Sequence, residues 1–138
     1  MAQNEYEMTY KEVTIAFMLL RPVGQLKLPL KAALKVRKLH YSLKTEANIR
    51  DEMQNKILEE NDCLKETGGW KVNENGTPAF KTKKGEKEGQ KQLQELNETK
   101  VKITMVPLVE QDFSTANGLT IEPSLLISLE EARLLTLD

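Results

Sequence analysis

One cysteine, one histidine and one tryptophan occur in 138 residues, with three tyrosines and three phenylalanines besides. The single cysteine, Cys63, excludes an intramolecular disulfide and fits a reducing intracellular compartment. The single histidine, His40, is too few for a self-contained His-based metal site and falls beside the apolar stripe of a predicted helix, where a structural or surface role is the simpler reading. Scarce aromatics leave Leu, Ile, Val and Met to build the core, which suits helices packed on helices. No run approaches the roughly 18 to 20 apolar residues that span a bilayer. The N-terminus, Met1-Ala-Gln-Asn-Glu-Tyr-Glu-Met8, is acidic where a secretory signal needs basic residues before an apolar run. A soluble chain not secreted by a standard signal is the expectation, with no membrane partner.

What is present is a polar but foldable composition, 39% hydrophobic and 30% charged, clear of the low-hydrophobicity, high-net-charge regime of disordered chains. The length predicts a single domain over 1–138, with 1–8 as a flexible lead and 81–88 as a solvated linker or frayed helix start. Net charge is only -1, which argues against a protein devoted to coating nucleic acid or anionic membrane. The charges are nevertheless segregated. Arg21 to Thr45 holds seven basic residues and no acidic one, whereas Glu46 to Glu66 holds seven acidic against three basic.

Thr9 and Glu12 have the spacing of a capping box. Val13 to Leu20 then reads as a short helix stopped at Arg21-Pro22-Val23-Gly24, with a β-strand as the alternative. From about Pro29 to Lys65 there is no internal glycine or proline, and good helix formers dominate, so one long helix is predicted. Steps of four and three pick out Ala32, Val36, Leu39, Leu43, Glu46, Arg50, Met53, Ile57, Glu60 and Leu64, a coiled-coil-like seam interrupted by its three charged members. Packing within its own fold is the plain reading of that seam, and a helix-mediated oligomer is the rival. Gly68-Gly69 is expected to end the helix. Trp70 to Phe80 reads as a hairpin turning at Asn75-Gly76, pinned to the helices by Trp70 and Phe80. A short helix over Gln90 to Asn97, a strand carrying Val101, Ile103 and Met105, a loop over Gln111 to Gly118 and a last helix opened by Pro123 complete the chain. The fold class is therefore α+β, mainly α: one long central helix with shorter helices, a small β-hairpin and one further strand.

Chemistry-bearing residues are sparse. Glu59, Glu60, Asp62 and Glu66 surround Cys63 in sequence and would raise its pKa, which points to an ordinary helical thiol. Helical spacing spreads Glu59, Glu60 and Asp62 around the cylinder, so a solvated face is the simpler reading than a divalent-ion site. Gly85 to Gly89 lacks the strand and partner residues of a phosphate-cradling loop. No catalytic residue, metal or cofactor is expected, and the chain is read as not an enzyme.

The one candidate binding surface is basic: Lys27, Lys31, Lys35, Arg37, Lys38 and Lys44. Cations near a helix N-terminus and acids near its C-terminus both oppose the macrodipole, so this pattern points to an interaction rather than to helix stability. Pairing of a basic half against an acidic half is one use. Sequence-independent phosphate contact is the other, and a merely soluble helix face is the plain alternative to both.

The run Leu26-Lys-Leu-Pro-Leu-Lys-Ala-Ala-Leu-Lys-Val-Arg-Lys38, then Val72-Asn-Glu-Asn-Gly-Thr-Pro78, Val101-Lys-Ile-Thr-Met105 and Ile121-Glu-Pro-Ser-Leu-Leu126 resembles a group of short phage- and prophage-encoded proteins. Their order is a short helix, a Leu-Pro-x-Lys lead into a long helix, an Asn-Gly hairpin, a strand and a C-terminal helix. That group has no established catalytic residues to carry over. The resemblance implies a viral or mobile-element setting, cytoplasmic in the host cell or virion-associated. The expectation is a noncatalytic interaction or assembly protein that self-associates or docks through its long helix, a protein or a second copy being the partner. The alternative is a nucleic-acid-binding accessory protein using residues 21–45.

Overall fold

The computed structural model describes residues 4–115, 118, 119 and 121–136 of the chain. It is α+β and mainly α, as the sequence predicts. By contacts it divides into two compact units, Met1–Ala47 with Lys100–Asp138, and Asn48–Thr99.

In the first unit, strand β1 (Asn4–Thr9) pairs antiparallel with β4 (Lys100–Met105), Tyr6 opposite Ile103 and Met8 opposite Val101. Met8, Ile103 and Met105 are buried, while Glu5 and Glu7 on the other face meet Lys102 and Lys100 at 3.6 and 3.5 Å. The segment expected as a flexible lead is thus a strand from Asn4 onward. Its Glu-Tyr-Glu-Met alternation is the period-two pattern, but its partner strand, Lys100–Met105, lies far away in sequence. Helix α1 (Tyr10–Val23) starts at the capping box: the Glu12 amide donates to Thr9 Oγ1 at 3.1 Å and the Thr9 amide to Glu12 Oε1 at 2.9 Å. The helix runs through Pro22 into its last turn and buries Val13, Ala16, Leu20 and Val23.

Helix α2 spans Leu30–Glu60. In the first unit it buries Ala32, Val36, Leu39, Leu43 and Ala47. The predicted seam holds as far as Leu43 and then drifts, because a straight helix of 3.6 residues per turn rotates about 20° per heptad against a strict seven-residue repeat. Met53 is exposed as a result, Leu64 is exposed beyond the end of the helix, and Ile57, still a member of the seam, carries the burial in the second unit together with Leu58. The first unit is completed by β5 (Leu108–Val109), a 3-10 turn (Glu110–Phe113) that buries Phe113, the paired β6 (Ser114–Thr115) and β7 (Gly118–Leu119), helix α4 (Pro123–Glu131), and β8 (Leu135–Thr136), which lies parallel to β5. The loop expected over Gln111 to Gly118 is corrected accordingly at its described residues.

In the second unit α2 ends at Glu60 rather than Lys65. Asp62 adopts φ 58, and the Cys63 amide donates to Leu58 O at 2.9 Å while Asp62 N donates to Glu59 O at 3.2 Å. That is a Schellman stop with a left-handed residue at its centre. Gly68 and Gly69 (φ 93 and 150) do not end the helix; they turn β2 (Lys65–Glu66) into β3 (Gly69–Trp70). The Asn-Gly hairpin follows, with Val72 bridged to Pro78 and Gly76 at φ 84. Trp70 Nε1 donates to Asn55 of α2 at 3.1 Å, and the Phe80 ring lies against Gly89, so both aromatics pin the ribbon to helices as predicted.

The segment 81–88, expected as a linker or frayed helix start, belongs to helix α3 (Lys83–Glu98) from Lys83 onward, seven residues before the expected Gln90, because Thr82 Oγ1 accepts the Gly85 amide at 3.0 Å and caps it. Gly85 and Gly89 serve packing. A Cβ on Gly89 would stand 2.6 Å from the Phe80 ring, and one on Gly85 would collide with the Asn61 carbonyl oxygen.

Candidate interaction surface on the long helix

Helix α2 carries no acid in its first turn and no base in its last, so the charge segregation is set against the helix dipole in the folded chain as well. The six basic candidates do not form one patch. Lys27 is exposed in the connector before the helix, and Lys31, Arg37, Lys38 and Lys44 are exposed along it. Lys35 is removed from the set. Its Nζ lies 3.1 Å from Asp112 Oδ2, with side chains only 22% and 12% exposed, and the same oxygen accepts the Val109 amide at 2.9 Å. Arg37 holds its guanidinium 5.7 Å over the Tyr41 ring.

At about 100° per residue, Lys31 and Lys38 share one flank of the helix and Arg37 and Lys44 another, with a strip between them. That strip is Leu30, Leu34 and Tyr41, which are 76%, 50% and 56% exposed. It faces roughly away from Ala32, Val36, Leu39 and Leu43, which fill the core. Sequence reasoning followed the charges and the buried seam and missed this strip, whose signal is the spacing of four and seven between Leu30, Leu34 and Tyr41.

The strip itself lines a groove of about 590 Å3 that opens on the Arg37 and Lys44 flank between α2 and the end of α1, with Leu20, Gly24, Val36 and His40 also along its walls. The His40 ring lies 5.0 Å from that of Phe17, centroid to centroid, so the histidine is held in place by α1. Smaller clefts of about 310 and 290 Å3 lie between α1 and α4, rimmed by Glu12 and Glu131, and between α2 and the end of β4, at Lys35, Lys38 and Ser42.

The perturbed titrations do not converge on any of these clefts. Burial raises the Tyr10 phenol, helped by its hydrogen bond to Glu46 (3.1 Å), and burial also raises the Cys63 thiol. The Thr9 amide, with Arg133 in support, lowers Glu12. Among the described residues no three His, Cys, Asp or Glu side chains are grouped to hold a metal ion, and no helix is long and apolar enough to cross a membrane. Comparison with protein families, with curated proteins and with solved structures finds no match to the chain.

Proposed function

We propose that the chain is a noncatalytic docking protein whose partner binds the exposed side of α2. The observation that carries this reading is the apolar strip Leu30, Leu34 and Tyr41 set between two cationic flanks. Exposed leucines at helical spacing match the apolar anchors of a helix-in-groove interface, and cations on both sides select a partner with acids around its own apolar stripe. The setting we propose is a phage or prophage, where such a protein serves assembly or engages a host factor. Virion genes beside this one would favour assembly, and early genes a host factor.

Affinity capture with the wild type and with Leu34→Glu side by side tests the site. Partners should be lost from the variant, in which an exposed substitution leaves the fold intact; capture that is indifferent to both Leu34→Glu and Tyr41→Glu would overturn the reading. Nucleic-acid binding is the second reading, favoured by the exposure of Lys27, Lys31, Arg37, Lys38 and Lys44. It requires DNA or RNA affinity that falls steeply with salt. The leucines of the strip offer nothing to a phosphate backbone, which favours the protein-docking reading.

A further inference from the structure

We infer that the partner on this face is the outer side of α4 in a second copy of the same chain, so that copies assemble head to tail. The inference rests on the docking reading and names its occupant. Leu34 of α2 is exposed, and the exposed cations Arg37 and Lys38 follow it by three and four residues. Ile127 of α4 is exposed, and the exposed acids Glu130 and Glu131 follow it by the same three and four. At about 100° per residue, the charged residues of each set lie on either side of the apolar one, within about 60° of it. The two helices therefore present one pattern with its charges inverted, and both patterns lie in the first compact unit.

The hollows beside the two patterns carry the same opposition. The groove at Leu34 is lined by Arg37 and Lys44, whereas the cleft between α1 and α4 is lined by Glu12 and Glu131, with Ile15 exposed on its wall. Glu12 is already paired with Arg133 at 3.2 Å. Among the described residues none of Arg37, Lys38, Glu130 and Glu131 has an ion pair within its own chain. Packing Leu34 of one copy against Ile127 of the next covers two exposed apolar side chains and sets cations against acids on both flanks. Two like faces would instead set cation on cation or acid on acid. One chain cannot join its own two faces, because α1 stands between them. The Phe17 ring lies against His40 of α2, Leu19 lines the α4 cleft, and these two residues point about 160° apart around α1. Each copy thus has one face for each of two neighbours, and a contact between unlike faces extends into a ring or an open chain.

Sedimentation of the full chain over a range of concentration and salt provides the test. Species larger than a dimer are expected as concentration rises, and they should recede with salt. Leu34→Glu disables one face and Ile127→Glu the other, each raising the dissociation constant at least about tenfold, so either variant alone stays monomeric where the wild type assembles. Mixed in equal amounts, the two variants should form a one-to-one dimer that grows no further, because one intact α2 face meets one intact α4 face. Recovery on mixing also shows that both variants are folded. A wild type that stays monomeric or stops at a dimer overturns the inference, as does assembly that Ile127→Glu leaves unchanged or a mixture that stays monomeric. The docking reading is judged separately, by whether Leu34→Glu loses captured proteins.

Discussion

Lys35 and Asp112, 77 residues apart, are joined by a 3.1 Å ion pair that ties the basic half of α2 to the turn after β5. The Asp112 carboxylate also accepts the Val109 amide, so removing either partner leaves a mostly buried charge with fewer contacts. Lys35→Met and Asp112→Asn should each destabilise the chain by about 1–3 kcal/mol. The double variant should lose less than the sum, because the second change removes the group that the first left unpaired. Urea denaturation of the four proteins checks this, and strictly additive losses would show that the two side chains do not interact.

The two α3 glycines make opposite demands on a substituted alanine. Alanine favours a helix by about 1 kcal/mol, but at Gly85 its Cβ meets the backbone oxygen of Asn61 and at Gly89 the Phe80 ring. Overpacking costs about 1–3 kcal/mol. Gly85→Ala should be the more damaging, since a backbone carbonyl yields less readily than a ring. Hydrogen exchange confined to Asn48–Thr99 is the readout, and equal or slower exchange in Gly85→Ala would refute the close approach.

Glu12 contributes a pH dependence with a definite sign. Its carboxyl is lowered from the ordinary value of 4.5, first by the Thr9 amide hydrogen bond and then, against an opposing effect of burial, by the Thr9 hydroxyl and Arg133. A carboxyl that titrates lower when folded adds stability above its unfolded pKa and loses it as pH falls through its folded one. Glu12→Gln should therefore lower stability at neutral pH and flatten the decline below about pH 4.5. Thr9→Ala, which removes the other half of the box, should cost about 1 kcal/mol. Thermal melts from pH 3 to 7 distinguish the two, since only the Glu12 variant removes the titrating group.

Cys63 should react slowly with thiol reagents in the folded chain and rapidly in urea. Burial both hides the sulfur and raises its pKa, so little thiolate is present at neutral pH. Native-state labelling that matches the denatured rate would show that the turn after α2 opens freely.

Local chemistry was legible wherever the interacting groups are neighbours in sequence. The Thr9 and Glu12 box, the body of α2, the alternation of β4 and the opening of α4 at Pro123 all rest on contacts or periodicities within a few residues. Thr82, three residues before Gly85, was equally local. The lysine and glutamate run around it read as solvent, which concealed the start of α3. The premature stop of α2 was harder to see, because a non-glycine residue, Asp62, takes the left-handed position.

By itself the sequence determined the bodies of the helices, the Thr9 and Glu12 box and the opposed charges of α2, because propensity, capping and periodicity act over one or two turns. Only the tertiary structure decided which of those charges are free. It paired Asn4–Thr9 with Lys100–Met105, drew Lys35 out of the basic set onto Asp112, and turned Leu30, Leu34 and Tyr41 outward by filling the opposite face of α2 with core. Those outcomes depend on residues tens of positions apart meeting in space, and no local pattern specifies such meetings.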